Sequence, residues 1–226
     1  MKLTLPPVLS LNAGYVDTAG FLALQGLFTA HVTGNFVTLG AALVLGTTGV
    51  IAKLSALPLF CLVVLLTRLA SRGLSGRRLP ALRLLLGLKL LLLVLGATMA
   101  IHFGPFTDGD ARTALATGMA LVAAMAIQNA VHRIHLGSAP ATTLMTGSTT
   151  QIMIDLADLA AGLPIEKRPL ILGRLQRAAI SVGVFAIGCA AAALAYAEWG
   201  VWCFFVPPLL ASVALVLRIE EYEKPA

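Results

Sequence analysis

Residues 80–103 read PALRLLLGLKLLLLVLGATMAIHF, and this stretch decides the fold class. Apart from Arg83 near its start and Lys89 inside it, the run carries no charge. An α-helix rises about 1.5 Å per residue, so roughly twenty apolar residues cross the ~30 Å hydrocarbon core of a bilayer. A membrane barrel strand would instead alternate polar and apolar positions over about ten residues. The stretch reads as a transmembrane helix.

The rest of the chain repeats the pattern. Of its 226 residues, 58% are hydrophobic and only 12% are charged, and the mean hydropathy is +0.92. A soluble domain keeps roughly a quarter of its residues charged, so most of this surface faces lipid. Eight apolar segments follow one another, at 8–29, 31–51, 54–70, 80–103, 112–131, 141–162, 178–197 and 201–217. The fold class is all-α, a polytopic helix bundle in one membrane domain over 1–226. Asp17 interrupts the first run, which does not read as a cleaved signal peptide. The net charge of +6 does not indicate nucleic acid, because the basic residues sit in short connections between apolar runs. Cys61, Cys189 and Cys203 lie singly, with no spacing for a metal or a disulfide framework. No cofactor or metal is expected.

A weak internal repeat divides the chain into halves, 1–108 and 109–226. Asn12-Ala13-Gly14-Tyr15-Val16-Asp17 is followed by His31-Val32-Thr33-Gly34-Asn35. Ala126-Ile127-Gln128-Asn129-Ala130 is followed by Leu144-Met145-Thr146-Gly147-Ser148. Thr33 lies sixteen residues after Asp17, and Thr146 seventeen after Asn129.

Charge chooses the topology. Were all eight segments to cross, the Lys and Arg other than Lys89 would split nine against six between the two faces. If the first two segments of each half cross only once between them, one being re-entrant or broken, the split becomes thirteen against two. Lys2, Arg68, Arg72, Arg77, Arg78, Arg83, Arg133, Lys167, Arg168, Arg174, Arg177, Arg218 and Lys224 then share a face, opposite Lys53 and Arg112. Positive charge in short loops marks the cytoplasmic side. The expected architecture is therefore two inverted repeats, each with three crossings plus one re-entrant or broken helix. Such repeats are common in secondary transporters. The expected location is a bacterial inner membrane, with both termini cytoplasmic.

The paired motifs, Asn12 to Asp17 with His31 to Asn35 and Gln128-Asn129-Ala130 with Met145-Thr146-Gly147-Ser148, resemble the YoaK-type family of bacterial membrane proteins, a domain of unknown function. The resemblance implies a small polytopic membrane protein of this length and brings no substrate or reaction. Ile127, where Gly14 would call for a small residue, departs from strict equivalence of the halves.

Several polar residues are candidates for function. Asp17 lies inside an apolar run, where a carboxylate costs roughly 2.5–3.5 kcal/mol on insertion scales. It reads as a proton or cation coupling site, or more plainly as a hydrogen bond to a neighbouring helix end. Asp155 is a second coupling candidate. Asp158 shares its helix face and can reach the interface. His31 adjoins the first Thr-Gly element and is a third coupling candidate, able to donate a hydrogen bond. Gln128 and Asn129 offer uncharged donors and acceptors for a solute or another helix. Thr33-Gly34-Asn35 and Thr146-Gly147-Ser148 can start helices whose free N–H groups hold an anion or a polar oxygen, glycine admitting the ligand; close helix packing is the plainer use. His132 and His135 are expected at the interface, as is His102. Lys89 is expected to snorkel towards the cytoplasmic surface, with inward pairing to Asp17 or Asp155 as the alternative. Trp199 and Trp202 fit an interfacial belt.

No phosphate-binding loop and no nucleophile elbow is present, so neither NTP-driven nor serine-hydrolase chemistry is indicated. The expected function is a secondary transporter or permease for a small polar or anionic solute, not an enzyme. A channel-like facilitator and a non-transporting structural or regulatory protein are the alternatives. The expected partners are the lipid bilayer and a small solute, not nucleic acid; self-association is left open.

Overall fold

A computed structural model describes residues 4–162 and 164–217, and every element among them is helical. The order is α1 (Leu5–Ala23), α2 (Asn35–Leu45), α3 (Val50–Gly76), α4 (Ala81–Phe103), α5 (Arg112–His135), α6 (Met145–Ala160), α7 (Arg168–Trp199) and α8 (Val206–Val216). Short 3-10 turns at Val32–Gly34, Ile165–Lys167 and Gly200–Phe205 precede α2, α7 and α8. Four stretches are long and apolar enough to cross a membrane: α3, α4, α5 and Ile165–Val216, which contains α7 and α8. α2 and α8 have 11 residues each and α6 has 16. At ~1.5 Å per residue none of the three reaches across a ~30 Å core by itself; α2 and α6 lie in the second and sixth apolar segments, and α8 follows α7 through the 3-10 turn at Gly200–Phe205.

Local sequence explains the boundaries. Pro6 and Pro7 occupy the first turn of α1, where a missing N–H costs nothing. α2 ends at Gly46, whose φ of 67° stops the helix. α3 starts after Gly49, with the Asp110 carboxylate accepting from the N–H groups of Gly49, Val50 and Ala52 at 3.1, 3.0 and 3.0 Å. That places a negative charge on the positive end of the helix dipole.

Named contacts fix the helix directions. α1 and α7 run parallel, since Ser10 meets Ser181 and Gly14 meets Phe185. α3 and α5 also run parallel, tied by Asp110 at their starts and by Ser71 to His135 at their ends. α5 runs opposite to α4, with Gly96 on Leu121 and Lys89 on Gln128. It also runs opposite to α1, with Gln128 on Leu9 and Gly118 near Leu27. α1 thus packs along α7 and α5 along α3, the two pairs running in opposite directions.

The directions place the described basic residues. Arg68, Arg72, Arg77, Arg78, Arg83, Arg133, Lys167, Arg168, Arg174 and Arg177 lie towards the end of the bundle where α1 begins. Lys53 and Arg112 lie at the opposite end. Lys2, Arg218 and Lys224 fall outside the described residues. Trp199 and Trp202 sit exposed near the Lys53 end, Trp202 stacked on Phe205. Exposed Leu, Val and Phe side chains along α2, α3 and α4 form the outer apolar surface that lipid requires.

The core is two apolar clusters. One gathers Leu5, Leu9, Leu82, Leu86, Ile127, Val131 and Ala214; the other gathers Ala13, Val16, Leu93, Ala124, Met125, Phe204 and Ala211. Between them the buried positions turn polar: Ser10 and Asn12 on α1, Lys89 on α4, Gln128 on α5 and Ser181 on α7.

Candidate functional site

Both candidate sites from the sequence lie at the helix interruptions, and the first is closed by the protein itself. α1 ends at Ala23, and the chain turns through Gln25 (φ 54°) and Gly26 (φ 80°) before α2 begins. Non-helical backbone at membrane depth needs internal hydrogen-bond partners. Asp17 supplies them. Its Oδ1 accepts from the N–H groups of Thr29 and Ala30, each at 2.7 Å, and more weakly from the Thr29 hydroxyl at 3.3 Å and the His31 N–H at 3.4 Å. Asn35 completes the turn: Oδ1 accepts from the Phe28 N–H at 2.9 Å, and Nδ2 donates to the Phe28 carbonyl at 2.8 Å. Asp17 thus binds the non-helical connection that follows its own helix.

Both Thr-Gly elements stand at helix starts, Thr33-Gly34 in the 3-10 turn that leads into α2 and Thr146-Gly147 in the first turn of α6. Thr33 is exposed, and a Cβ on Gly34 would lie 2.9 Å from the Phe28 ring. Gly34 thus admits a side chain of its own loop. Thr146 and Gly147 are exposed, a Cβ on Gly147 would meet nothing within 4 Å, and Ser148 is buried. α2 packs on α3 and α6 on α7, so the two elements rest on different partners. His31 is half-buried with its ring centroid 5.7 Å from that of Phe28.

Asp155 is fully buried and ion-paired. Arg174 Nε donates to its Oδ2 at 2.9 Å, a terminal nitrogen of the same guanidinium donates to Oδ1, and Gln151 Nε2 donates to Oδ1 at 2.8 Å. This fork joins α6 to α7. Asp158 is exposed, as is His102. His132, in the last turn of α5, is 7% exposed, and its Nδ1 has no partner among the described residues.

The second interruption opens onto the polar seam. Gln128, fully buried on α5, uses both ends of its amide. Nε2 donates to the Leu9 carbonyl at 2.9 Å and to the Thr142 hydroxyl at 3.3 Å, and Oε1 accepts from Lys89 Nζ. Beside it, the Ser181 hydroxyl donates to the Ala141 carbonyl at 2.8 Å and lies 2.9 Å from the Ser10 hydroxyl. Asn129 is half-buried.

Lys89 corrects the expectation of snorkelling. It is 1% exposed, and among the described residues its ammonium meets only the Gln128 amide and no carboxylate. Nor does it pair with Asp17 or Asp155. Asn12, on the turn of α1 after Leu9, is also fully buried, and both of its amide atoms lack a partner among the described residues. A signal for Lys89 was present in the sequence. The buried residues of α4, Leu82, Leu86, Lys89, Leu93, Gly96 and Ala100, recur at helical spacing, so Lys89 lies on the stripe that faces the core.

The chain belongs to a family described as proteins of unknown function (DUF1275), whose model matches residues 5–217. It is also similar to the UPF0700 transmembrane protein YoaK of Bacillus subtilis (strain 168), with 52% identity over 40 residues, a match covering 18% of each chain. No solved structure matches. The protein is thus a helical membrane protein of that family.

Proposed function

We propose that this membrane protein is a secondary transporter or permease for a small polar or anionic solute, bound at the seam around Lys89. One observation carries the reading: a fully buried lysine amino group, held by a neutral amide, at the level where helices of both halves meet. A lysine at the centre of a bilayer costs roughly 2.5–3.5 kcal/mol on insertion scales, and intramembrane ionisable residues mark solute or ion pathways by default. Nothing in packing alone requires a charge there, since leucine fills the same stripe above and below.

The architecture supports the same reading. An inverted pair of halves accounts for the reciprocal packing of α1 on α7 and α5 on α3. It also accounts for two short helices in corresponding places and for the arginines gathered at one end. That end is the cytoplasmic side of a bacterial inner membrane in this proposal. A site at the junction of two halves can be exposed alternately to either face by rocking one against the other. Coupling to protons belongs with Lys89 in this reading, because the Asp17 carboxylate is engaged by the loop and Asp155 by Arg174. We read the protein as a non-enzyme.

Uptake of a panel of labelled small polar and anionic solutes into proteoliposomes tests the proposal. Accumulation of a solute that collapses with the proton gradient, and that Lys89→Met abolishes, is the expected result. Flux without accumulation would make the protein a facilitator. The absence of flux from correctly inserted protein would leave a structural or regulatory role.

A further inference from the structure

We propose that the seam binds a small 2-hydroxy monocarboxylate, with Lys89 and Asn12 as its ligands and Gln128 as the residue that positions Lys89. The inference rests on the seam being the solute site and names what the solute is.

Position comes first. Gln128 Nε2 lies 2.9 Å from the Leu9 carbonyl. The carbonyl of a helical residue points along the axis towards the next turn, between the side chains three and four residues on. For Leu9 those are Asn12 and Ala13. The Gln128 amide therefore approaches α1 beside Asn12 and presents Lys89 to the same patch through its Oε1. On that geometry, one amide carries the Lys89 amino group of α4 towards the turn of α1 that bears the unpartnered Asn12 amide.

Valence follows. Gln128 takes one of the three ammonium protons of Lys89 and leaves two directions for other acceptors. Asn12 has a carbonyl oxygen and an NH2 group, neither partnered among the described residues. Buried groups of this kind are nearly always satisfied, and most strictly inside a membrane. A ligand that meets them must accept from an ammonium, accept from an amide N–H and donate to an amide oxygen. A carboxylate accepts twice, and a hydroxyl on the adjacent carbon donates once.

Charge and surroundings narrow the class. The ammonium brings a single positive charge with no carboxylate against it among the described residues, so a monoanion neutralises it. A dianion would leave excess charge in a low-dielectric interior. Leu9, Ile127, Ala13, Leu93 and Met125 close the seam on both sides. These walls suit a short aliphatic tail and leave the outer oxygens of sulfate or phosphate without donors.

The test is ligand-induced stabilisation of detergent-purified full-length protein, since a ligand that binds only the folded state raises its melting temperature by mass action. The probes are the sodium salts of lactate, glycolate, propionate, chloride and sulfate at matched ionic strength. Lactate and glycolate should each give a saturable rise, with apparent affinity at least tenfold above propionate. Chloride and sulfate should give none. Lys89→Gln should lose the response to all monocarboxylates, and Thr33→Ala should keep it. Asn12→Ala should remove the tenfold preference for the hydroxy acids. It should also melt no lower than wild type without ligand, because it deletes an unpartnered amide, so this variant stays informative even if Lys89→Gln fails to fold. Equal stabilisation by chloride or sulfate, or unchanged lactate affinity in folded Lys89→Gln or Asn12→Ala, would overturn the assignment. Uptake of some other solute without lactate binding would sink this inference and leave the transport reading intact. Saturable lactate binding without uptake would do the reverse.

Discussion

Replacing Asp17 separates a structural carboxylate from a coupling one. Two of its contacts, the 2.7 Å bonds from the Thr29 and Ala30 N–H groups, are short enough to count as charge-assisted. The contacts at 3.3 and 3.4 Å add little. Asp17→Ala strands two buried N–H groups, each worth about 1–3 kcal/mol, so the loss should fall at ~2–6 kcal/mol. Asp17→Asn keeps an oxygen in the place of Oδ1 and retains both bonds as neutral ones. Neutral bonds are about half as strong as charge-assisted ones, and the change also removes the cost of a buried charge. The asparagine variant should therefore fall within about 1–2 kcal/mol of wild type. Equilibrium unfolding in mixed micelles, followed by circular dichroism, measures all three proteins. An alanine variant within about 0.5 kcal/mol of wild type would refute the capping role, since the loop would then not depend on the carboxylate. An asparagine variant as unstable as the alanine one would show that charge, not acceptor geometry, is what the site requires. A stable asparagine variant that loses gradient-driven accumulation would give Asp17 a coupling role beside the structural one.

Two further predictions test the packing and the topology. Gly188 lies against α1 so closely that a Cβ would run into the Leu11 carbonyl oxygen, a backbone atom that cannot step aside. Gly188→Ala should lower stability by about 1–3 kcal/mol through overpacking, whereas Gly183→Ala, with nothing within 4 Å of its new Cβ, should be neutral or slightly stabilising; equal effects in the same unfolding assay would deny the close crossing. Single cysteines at Ser75 and Gly173, in a background without Cys61, Cys189 and Cys203, should both be shielded from an impermeant thiol reagent in intact cells. Labelling of one but not the other would place the two basic ends on opposite faces and return an eight-crossing bundle.

The sequence carried the helices well because lipid demands long unbroken apolar runs, and those are visible without knowing what packs on what. All eight apolar runs contain a helix, and two of the three short ones, α2 and α6, follow the two polar helix motifs. What it carried poorly is which partner each intramembrane polar group finds. In the sequence Asp17 reads either as a coupling carboxylate or as a hydrogen bond to a helix end, because an isolated charge in an apolar run has no visible partner. Its partners are backbone N–H groups twelve to fourteen residues on, brought back by a turn at Gln25 and Gly26 that no side-chain pattern announces. Lys89 failed for the opposite reason. Its distance along the chain from Arg83 suggested a route to the surface, while its register on the leucine stripe pointed inwards, and the register won.

The two helix motifs show how related polar positions come to differ in chemistry. Asp17 on α1 and Gln128 on α5 each reach the irregular connection that follows their own helix, Asp17 to Thr29 and Ala30 and Gln128 to Thr142. A carboxylate suits the first place because the groups that its Oδ1 meets, the N–H groups of Thr29, Ala30 and His31 and the Thr29 hydroxyl, all donate. It would fail at the second, where Gln128 must donate to the Leu9 carbonyl on one side and accept from Lys89 on the other. A glutamate there would neutralise Lys89 but set its second oxygen against that carbonyl. The amide satisfies both neighbours and carries no charge, which leaves the ammonium uncompensated. The geometry that excludes a carboxylate at Gln128 is thus what leaves Lys89 without one against it among the described residues.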